Sequence, residues 1–323
     1  MAKLTQKWPD FDTLPLDKSG PPGNAWGLFG KDDQLGRLNL ITPETVKEVV
    51  QEVKEGTRVS LDWQIDRPSF PAFGRPRFQQ QLINYAPRAI NDEILTFNTQ
   101  CSTQWDGFRH YAYQNTQQFY NGYTQKDIEA GGSLGINLWA EAGGITARGV
   151  LVDYYGYRQR KGDSVDPFLS APIKLEEVLE ILEDEKVGVR PADVLFIRTG
   201  FVAEYKKFSA ERQAKFAGHE AGYLGFEATK PSLKWLWDSK FAAVASDSPS
   251  FERSPLAGSY NEPNVSVHTW GLAGWGMPIG ELFDLDALAE ECLRLKCWTF
   301  FVSSVPLKVP GGVASPPSAV AIF

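Results

Sequence analysis

Apolar residues recur along the chain at two periods, and the switches between them mark out the elements. Thr42 and Pro43 open a helix as N-cap and first turn, Val46, Val49, Val50 and Val53 form its apolar face, and Gly56 is placed to end it. Thr57 to Asp62 then alternates as a short strand. Residues 64–98, with Pro68, Pro71, Pro76 and Pro87, read as extended loops enclosing a hairpin. Near Trp139 a short helix leads into Gly149-Val-Leu-Val-Asp153, a buried strand ending in an acid. A second helix carries Leu175, Val178, Leu179 and Leu182 on one face, and Asp193-Val-Leu-Phe-Ile-Arg-Thr-Gly200 has the continuous apolar run of a strand covered on both sides. A helix from Thr229 and Pro231 through Leu236 precedes a strand over Phe241 to Asp247. The last helix, from about Asp284 through Leu288 and Cys292, precedes a strand over Trp298 to Val309. This alternation, sustained from about residue 135, predicts an α/β sheet. The Pro- and Gly-rich first residues predict an irregular arm over 1–23, followed by one domain over 24–323.

Composition narrows the chemistry. The chain has 323 residues with 10 Trp, 11 Tyr and 20 Phe, but only 3 His and 3 Cys. So few of each exclude any architecture that needs a cluster of cysteines or four histidine ligands. The net charge of -7 comes without a basic block, so neither nucleic acid nor an anionic membrane is an expected partner. Cys101, Cys292 and Cys297 form no CxxC pair, and the first residues lack the apolar core of a signal peptide. The expectation is a cytoplasmic protein with a small-molecule substrate.

Candidate chemistry concentrates in Gln100-Cys-Ser-Thr-Gln-Trp-Asp-Gly-Phe-Arg-His110. Gln100, Gln104 and Asp106 offer oxygens that suit a hard divalent cation (Mn or Mg, or else Zn), and His110 follows Asp106 by four residues. The alternative is a polar loop bonding its own backbone. His268 and Glu281 form a second pair able to bind a metal or exchange protons, unless His268 is a packed core histidine beside Trp270. His219, in a Gly-rich stretch, reads as a surface or lid residue. Neither GxGxxG, GxxxxGK[ST] nor GxSxG occurs, which leaves nucleotide-phosphate and serine-hydrolase readings without support, and Ser303-Ser304 inside an apolar run reads as structural. The rings fit core packing or an aromatic small-molecule pocket, for which Trp105, Trp139, Trp270 and Trp275 are the candidates.

Taken in order, these segments resemble the cyclase family that includes bacterial kynurenine formamidase and isatin hydrolase, in its larger bacterial and fungal branch. The resemblance runs from about residue 24 to 323. It is carried by Trp26-Gly27, Asp33-Gln-Leu-Gly-Arg-Leu-Asn-Leu-Ile-Thr-Pro43, Ser102 to His110, Asn137-Leu-Trp-Ala-Glu141, Arg148 to Asp153, Asp193 to Gly200, Ala243 to Asp247, Pro278-Ile-Gly-Glu281, Pro306-Leu307 and Gly311-Gly-Val-Ala-Ser-Pro316. It implies a compact swivelling β/β/α fold with a mixed sheet, a homodimer or higher homo-oligomer, and metal-dependent hydrolysis of amides or lactams. Laid on the family motif HxGTHxDxPxH, both of the first two histidines become glutamine (Gln100 and Gln104), Gly becomes Ser102 and Pro becomes Phe108. Asp106 and His110 are retained, and the family's later His and Glu fall on His268 and Glu281.

Two enzymes are therefore expected in competition. One holds a divalent ion through Gln100, Gln104 and Asp106 and hydrolyses a small cyclic or aromatic carbonyl compound, with His110 as acid and base and His268 and Glu281 assisting. The other binds no metal and uses His110 with Asp106 or Glu281 as an isomerase, lyase or cyclase. A binding protein without catalysis is the third reading.

Overall fold

The computed structural model describes residues 7–216, 222–256 and 265–323. His219 lies outside them. The strands are β1 (Arg58–Ser60), β2 (Gln79–Asn84), β3 (Asn91–Thr96), β4 (Gln104–Asp106), β5 (Ile145–Val152), β6 (Pro172–Ile173), β7 (Val194–Ile197), β8 (Gly225–Phe226), β9 (Ala243–Ser246), β10 (Ile279–Glu281), β11 (Thr299–Ser304), β12 (Ala314–Ser315) and β13 (Ala319–Ile322). Nine of them form one mixed sheet in the order β1-β13-β11-β5-β7-β9-β10-β4-β12. The centre, β5-β7-β9-β10, is parallel, and both flanks are antiparallel. This is the mixed α/β architecture expected. Val194-Leu-Phe-Ile197 is wholly buried, as a central strand with both faces covered must be.

Local chemistry explains where most elements begin and end. The helix Pro43–Val49 starts with Pro43 in its first turn and a reciprocal pair of hydrogen bonds between Thr42 and Thr45. In the helix Leu175–Asp184 the buried residues are Val178, Ile181 and Leu182. Leu179, assigned to the same face from sequence, is 41% exposed. It sits one residue past Val178 and so is turned about 100° away. The last long strand stops at Ser304 and does not run on to Val309, because Pro306 cannot donate to a ladder.

The hairpin expected within residues 64–98 is β2-β3, a two-stranded ladder pairing Gln79 with Thr96 and Asn84 with Asn91. The N-terminal segment is not merely draped over the surface. Trp8 packs on Trp237 at 4.7 Å and Phe11 stacks on Trp270 at 5.6 Å. Trp26 Nε1 donates to the Ala273 carbonyl (2.7 Å), and Trp275 Nε1 to that of Gly23 (2.9 Å). These bonds clamp the segment on the π-helical turn His268–Trp275. Its closest approach is Gly36 against Gly276: a Cβ on Gly36 would stand 2.0 Å from the Gly276 carbonyl oxygen, and both glycines have positive φ. Among the described residues, no helix is long and apolar enough to cross a membrane.

Candidate active site

Three chain segments converge at the end of the sheet where β10 meets β4. The two strands pair antiparallel with Glu281 opposite Gln104 and Ile279 opposite Asp106. Directly opposed residues share a face, so Gln104, Asp106 and Glu281 project together while Trp105 projects to the other side. A tight turn follows β4, with His110 N–H donating to the Gly107 carbonyl at 2.9 Å, and it brings His110 back over Asp106. The crossover from β9 to β10 supplies Glu252 and, at the start of the π-helical turn, His268.

These groups form one buried polar chain. Gln100 Nε2 donates to Asp106 Oδ1 (2.7 Å) and lies 3.2 Å from His110 Nδ1. Gln104 Nε2 donates to Glu281 Oε2 (2.8 Å) and, more weakly, to Asp106 Oδ1 (3.4 Å). His268 sits between two carboxylates, with Nδ1 2.8 Å from Glu252 Oε1 and Nε2 3.2 Å from Glu281 Oε1. Glu252 is fixed in turn by the backbone N–H groups of Val267 and His268, each at 2.7 Å. His110 Nε2 stands 3.8 Å from Asp106 Oδ2, and its side chain is 21% exposed, against at most 4% for Asp106, Glu252, His268 and Glu281. The cluster therefore opens to solvent at His110.

Burial sets the proton affinities. Burial pushes the His110 ring below the ordinary imidazole value, helped by His268 and Arg75, and Asp106 only partly offsets them. Burial also opposes a proton on His268, but hydrogen bonds to Glu252 and Glu281 outweigh it and raise that ring to about 10. Burial and the nearby Asp106 charge raise Glu281, against the pull of His268.

The cluster has the makings of a cation site. Asp106, His110 and His268 offer ligand atoms within 4.8 Å of one another. Two buried acceptors, Asp106 Oδ2 and Gln104 Oε1, have no hydrogen-bond partner. Glu252 behind His268 Nδ1 is the carboxylate that characteristically backs a ligating imidazole and fixes its tautomer. The residues present thus fit a divalent ion.

The sequence-derived set is redistributed by this geometry. Asp106, His110, His268, Glu281, Gln100 and Gln104 do come together. Gln100, expected as a metal ligand, instead turns its amide nitrogen to Asp106, because a carboxylate oxygen calls for a donor. The four tryptophans do not form the pocket. Trp105 bonds Ser304 Oγ (2.9 Å) beneath the sheet and Trp139 packs on Phe108 at 5.1 Å. Trp270 and Trp275 are taken up by the N-terminal segment. Ser304 is structural as expected, tying Trp105 to the Pro317 carbonyl. Sequence reasoning missed Glu252, Arg75, whose Nη1 donates to the Gln100 carbonyl (2.9 Å), and Tyr111, whose ring lies 5.5 Å from that of His268. The signal for Glu252 was its place, five residues after the strand-ending Asp247.

Mixed sheet and carboxylate–histidine cluster together define the class, and the comparisons agree. The family model described as "Putative cyclase" matches residues 14–253, and the chain belongs to that family. A solved structure described as a novel cyclase is 30% identical with a TM-score of 0.81, covering 93% of this chain and 99% of its own. Isatin hydrolase A from Ralstonia solanacearum (16% identity, TM-score 0.59, 88% and 97% covered) is similar in fold. So is isatin hydrolase A from Labrenzia aggregata, solved with benzyl benzoate (16%, 0.57, 82% and 93%). No curated protein matches the chain.

Proposed function

We propose that the protein is a hydrolase-type enzyme acting on a small cyclic or aromatic carbonyl compound, cleaving an amide, lactam or lactone bond. The observation that carries this is His110 at the one open edge of the cluster, with Nε2 facing the unpartnered Oδ2 of Asp106 at 3.8 Å. A divalent ion would be held by Asp106, His268 and the free Gln104 oxygen. When bound it would polarise the carbonyl and acidify water. Lowered by burial, His110 stays unprotonated near neutral pH and can accept the proton of the attacking water. Asp106 steadies the imidazolium so formed. The C–N or C–O bond breaks as His110 returns that proton to the leaving nitrogen or oxygen. Glu252 and Glu281 hold His268, and Gln104 holds Glu281, so the cluster keeps its shape during transfer. Membership of the family and the fold shared with isatin hydrolases support this reading.

A second reading draws on the glutamines. Gln100 and Gln104 point amide protons at Asp106 and Glu281, partly filling the acceptors that an ion would use. Such a site suits metal-independent proton transfer by His110, as in an isomerase, lyase or cyclase. One experiment separates the two: metal analysis, then turnover of aryl amides, lactams and lactones before and after chelation and by the His110→Ala variant. A stoichiometric ion lost together with activity, and an inactive variant, are expected. Full turnover by chelated protein rejects the metal-assisted route, and full turnover by His110→Ala rejects the assigned role of His110.

A further inference from the structure

Arg37 is fully buried, yet only one edge of its guanidinium is satisfied. Nη1 faces three acceptors: the carbonyls of Leu236 (3.0 Å) and Phe241 (3.2 Å), and Met277 Sδ (3.6 Å). Nε and Nη2 have no hydrogen-bond partner. Three tryptophans surround the group, with Cζ 5.4, 4.9 and 4.7 Å from the ring centroids of Trp8, Trp237 and Trp275. Trp237 Nε1 donates to the Pro9 carbonyl (2.8 Å) and Trp275 Nε1 to that of Gly23 (2.9 Å). Trp8 Nε1 is buried and, like the two Arg37 nitrogens, unpartnered.

Three buried donors around one cation call for an acceptor that also carries charge. Ring faces attract the guanidinium but accept its N–H groups only weakly. Burial pulls Arg37 down to about 9, so it keeps its charge at neutral pH. Asp238 acts on it from a distance and is itself paired with Lys234 (3.1 Å). Lys240 adds a second positive charge, its Nζ 5.8 Å from the Trp8 ring centroid. A neutral acceptor would satisfy the N–H groups and leave the buried charge uncompensated, whereas an anion does both. Aromatic walls and full enclosure suit a small, weakly hydrated monovalent anion and exclude a bulky organic one.

We propose that Arg37 Nε and Nη2 and Trp8 Nε1 bind a small monovalent anion, chloride in ordinary solution, which pins the N-terminal segment to the core. The site joins parts of the chain far apart in sequence: Trp8, the turn Gly36–Leu40 that carries Arg37, the helix Lys230–Asp238 that carries Trp237, and the π-helical turn that ends at Trp275. His268 opens that same turn, so the ion braces, from the N-terminal side of the molecule, the element on which His268 is mounted. None of the three donors belongs to the carboxylate–histidine cluster, so the anion site stands whether or not the proposed hydrolysis does.

Melting of the full chain in sodium chloride and in sodium gluconate, at constant ionic strength, tests this without turnover. Gluconate is too large for the enclosed site. Chloride should raise Tm along a saturating curve, by about 2–3 °C once it exceeds its Kd about twentyfold. Arg37→Met keeps a long apolar stem and removes the guanidinium donors; it should melt at one temperature in both salts, whatever its own stability. Trp8→Phe keeps a ring without its N–H and should move the chloride midpoint upward about tenfold, the loss of one charge-assisted hydrogen bond. Crystals grown in bromide should show an anomalous peak within hydrogen-bond reach of Arg37 Nε and Nη2. Equal melting of wild type in the two salts, a chloride response that persists in Arg37→Met, an unchanged midpoint in Trp8→Phe, or bromide-grown crystals with only water beside Arg37 would each overturn the proposal. Packing of the guanidinium against the rings alone predicts no chloride response in any variant and no bromide peak.

Discussion

Replacing Glu252 with glutamine perturbs the cluster at the point where backbone and chemistry meet. The carboxylate accepts three hydrogen bonds, from the N–H groups of Val267 and His268 (2.7 Å each) and from His268 Nδ1 (2.8 Å). A glutamine keeps one acceptor oxygen and turns an NH2 group toward at least one of these donors. One charge-assisted bond is lost and one buried donor is left unpaired, together costing about 2–3 kcal/mol. The ~3–5 kcal/mol typical of breaking a buried ion pair is an upper bound, because Glu281 still faces the other side of His268. For 323 residues the entropy of unfolding near the midpoint is roughly 0.7 kcal/mol/K, so a loss of about 3 kcal/mol lowers Tm by about 4 °C. Urea titration and calorimetry of chelated protein measure both quantities, with the exposed Glu183→Gln as control. A Glu252→Gln variant within about 0.5 kcal/mol of wild type would refute the claim that this carboxylate fixes the histidine.

Three other substitutions probe the frame around the site. Asp247, fully buried, accepts from Thr199 N (2.5 Å), Thr199 Oγ1 (2.8 Å) and Gly200 N (2.9 Å), so Asp247→Asn should cost about 1–3 kcal/mol by urea titration. Burial raises the Glu185 carboxyl to about 8, above its unfolded value. The folded state therefore holds this proton more tightly, and the stability it contributes is complete below the unfolded value near 4.5 and lost as pH rises through about 8. Glu185→Gln removes that loss, so Tm of the variant relative to wild type should rise between pH 5 and pH 9, and a flat difference rejects the assignment. Gly36→Ala forces a Cβ to 2.0 Å from the Gly276 carbonyl oxygen, backbone against backbone; a circular-dichroism melt should fall by several degrees, and an unchanged melt would show that the two segments are free to part.

The fold was legible where the chain repeats a physical rule. Val194-Leu-Phe-Ile197 reads as a central strand because a short run of consecutive apolar residues suits a strand covered on both faces. Thr42 and Pro43 announce a helix start through the same capping chemistry that the structure contains. Leu179 was misplaced because an apolar residue on a helix carries no label of face beyond its spacing, and its neighbour Val178 had the better spacing to Ile181 and Leu182. The tryptophans misled for a related reason: ring count says how much surface must be buried, not against what. Trp270 and Trp275 pack on a Pro- and Gly-rich segment more than 240 residues away, and no periodicity encodes that contact.

In the site, what was legible was the part carried on one strand and turn. Gln104 and Asp106 share a face because they are two apart, and His110 returns over Asp106 through a turn that Gly107 permits. Glu252 and Arg75 were not legible, since each acts through contacts fixed only by the β9–β10 crossover and by the strained turn at Phe73. That division has a chemical consequence. The groups on the strand and its turn supply the acceptors and the open imidazole, while the loop-borne ones shift their proton affinities. Glu252, together with Glu281, favours a proton on His268, and the Arg75 charge lowers the proton affinity of His110 and Glu281. Substitutions at Glu252 and Arg75 should therefore act on different rings within this one chain, Glu252→Gln lowering the proton affinity of His268 and Arg75→Gln raising that of His110, as NMR titration of the imidazoles would read.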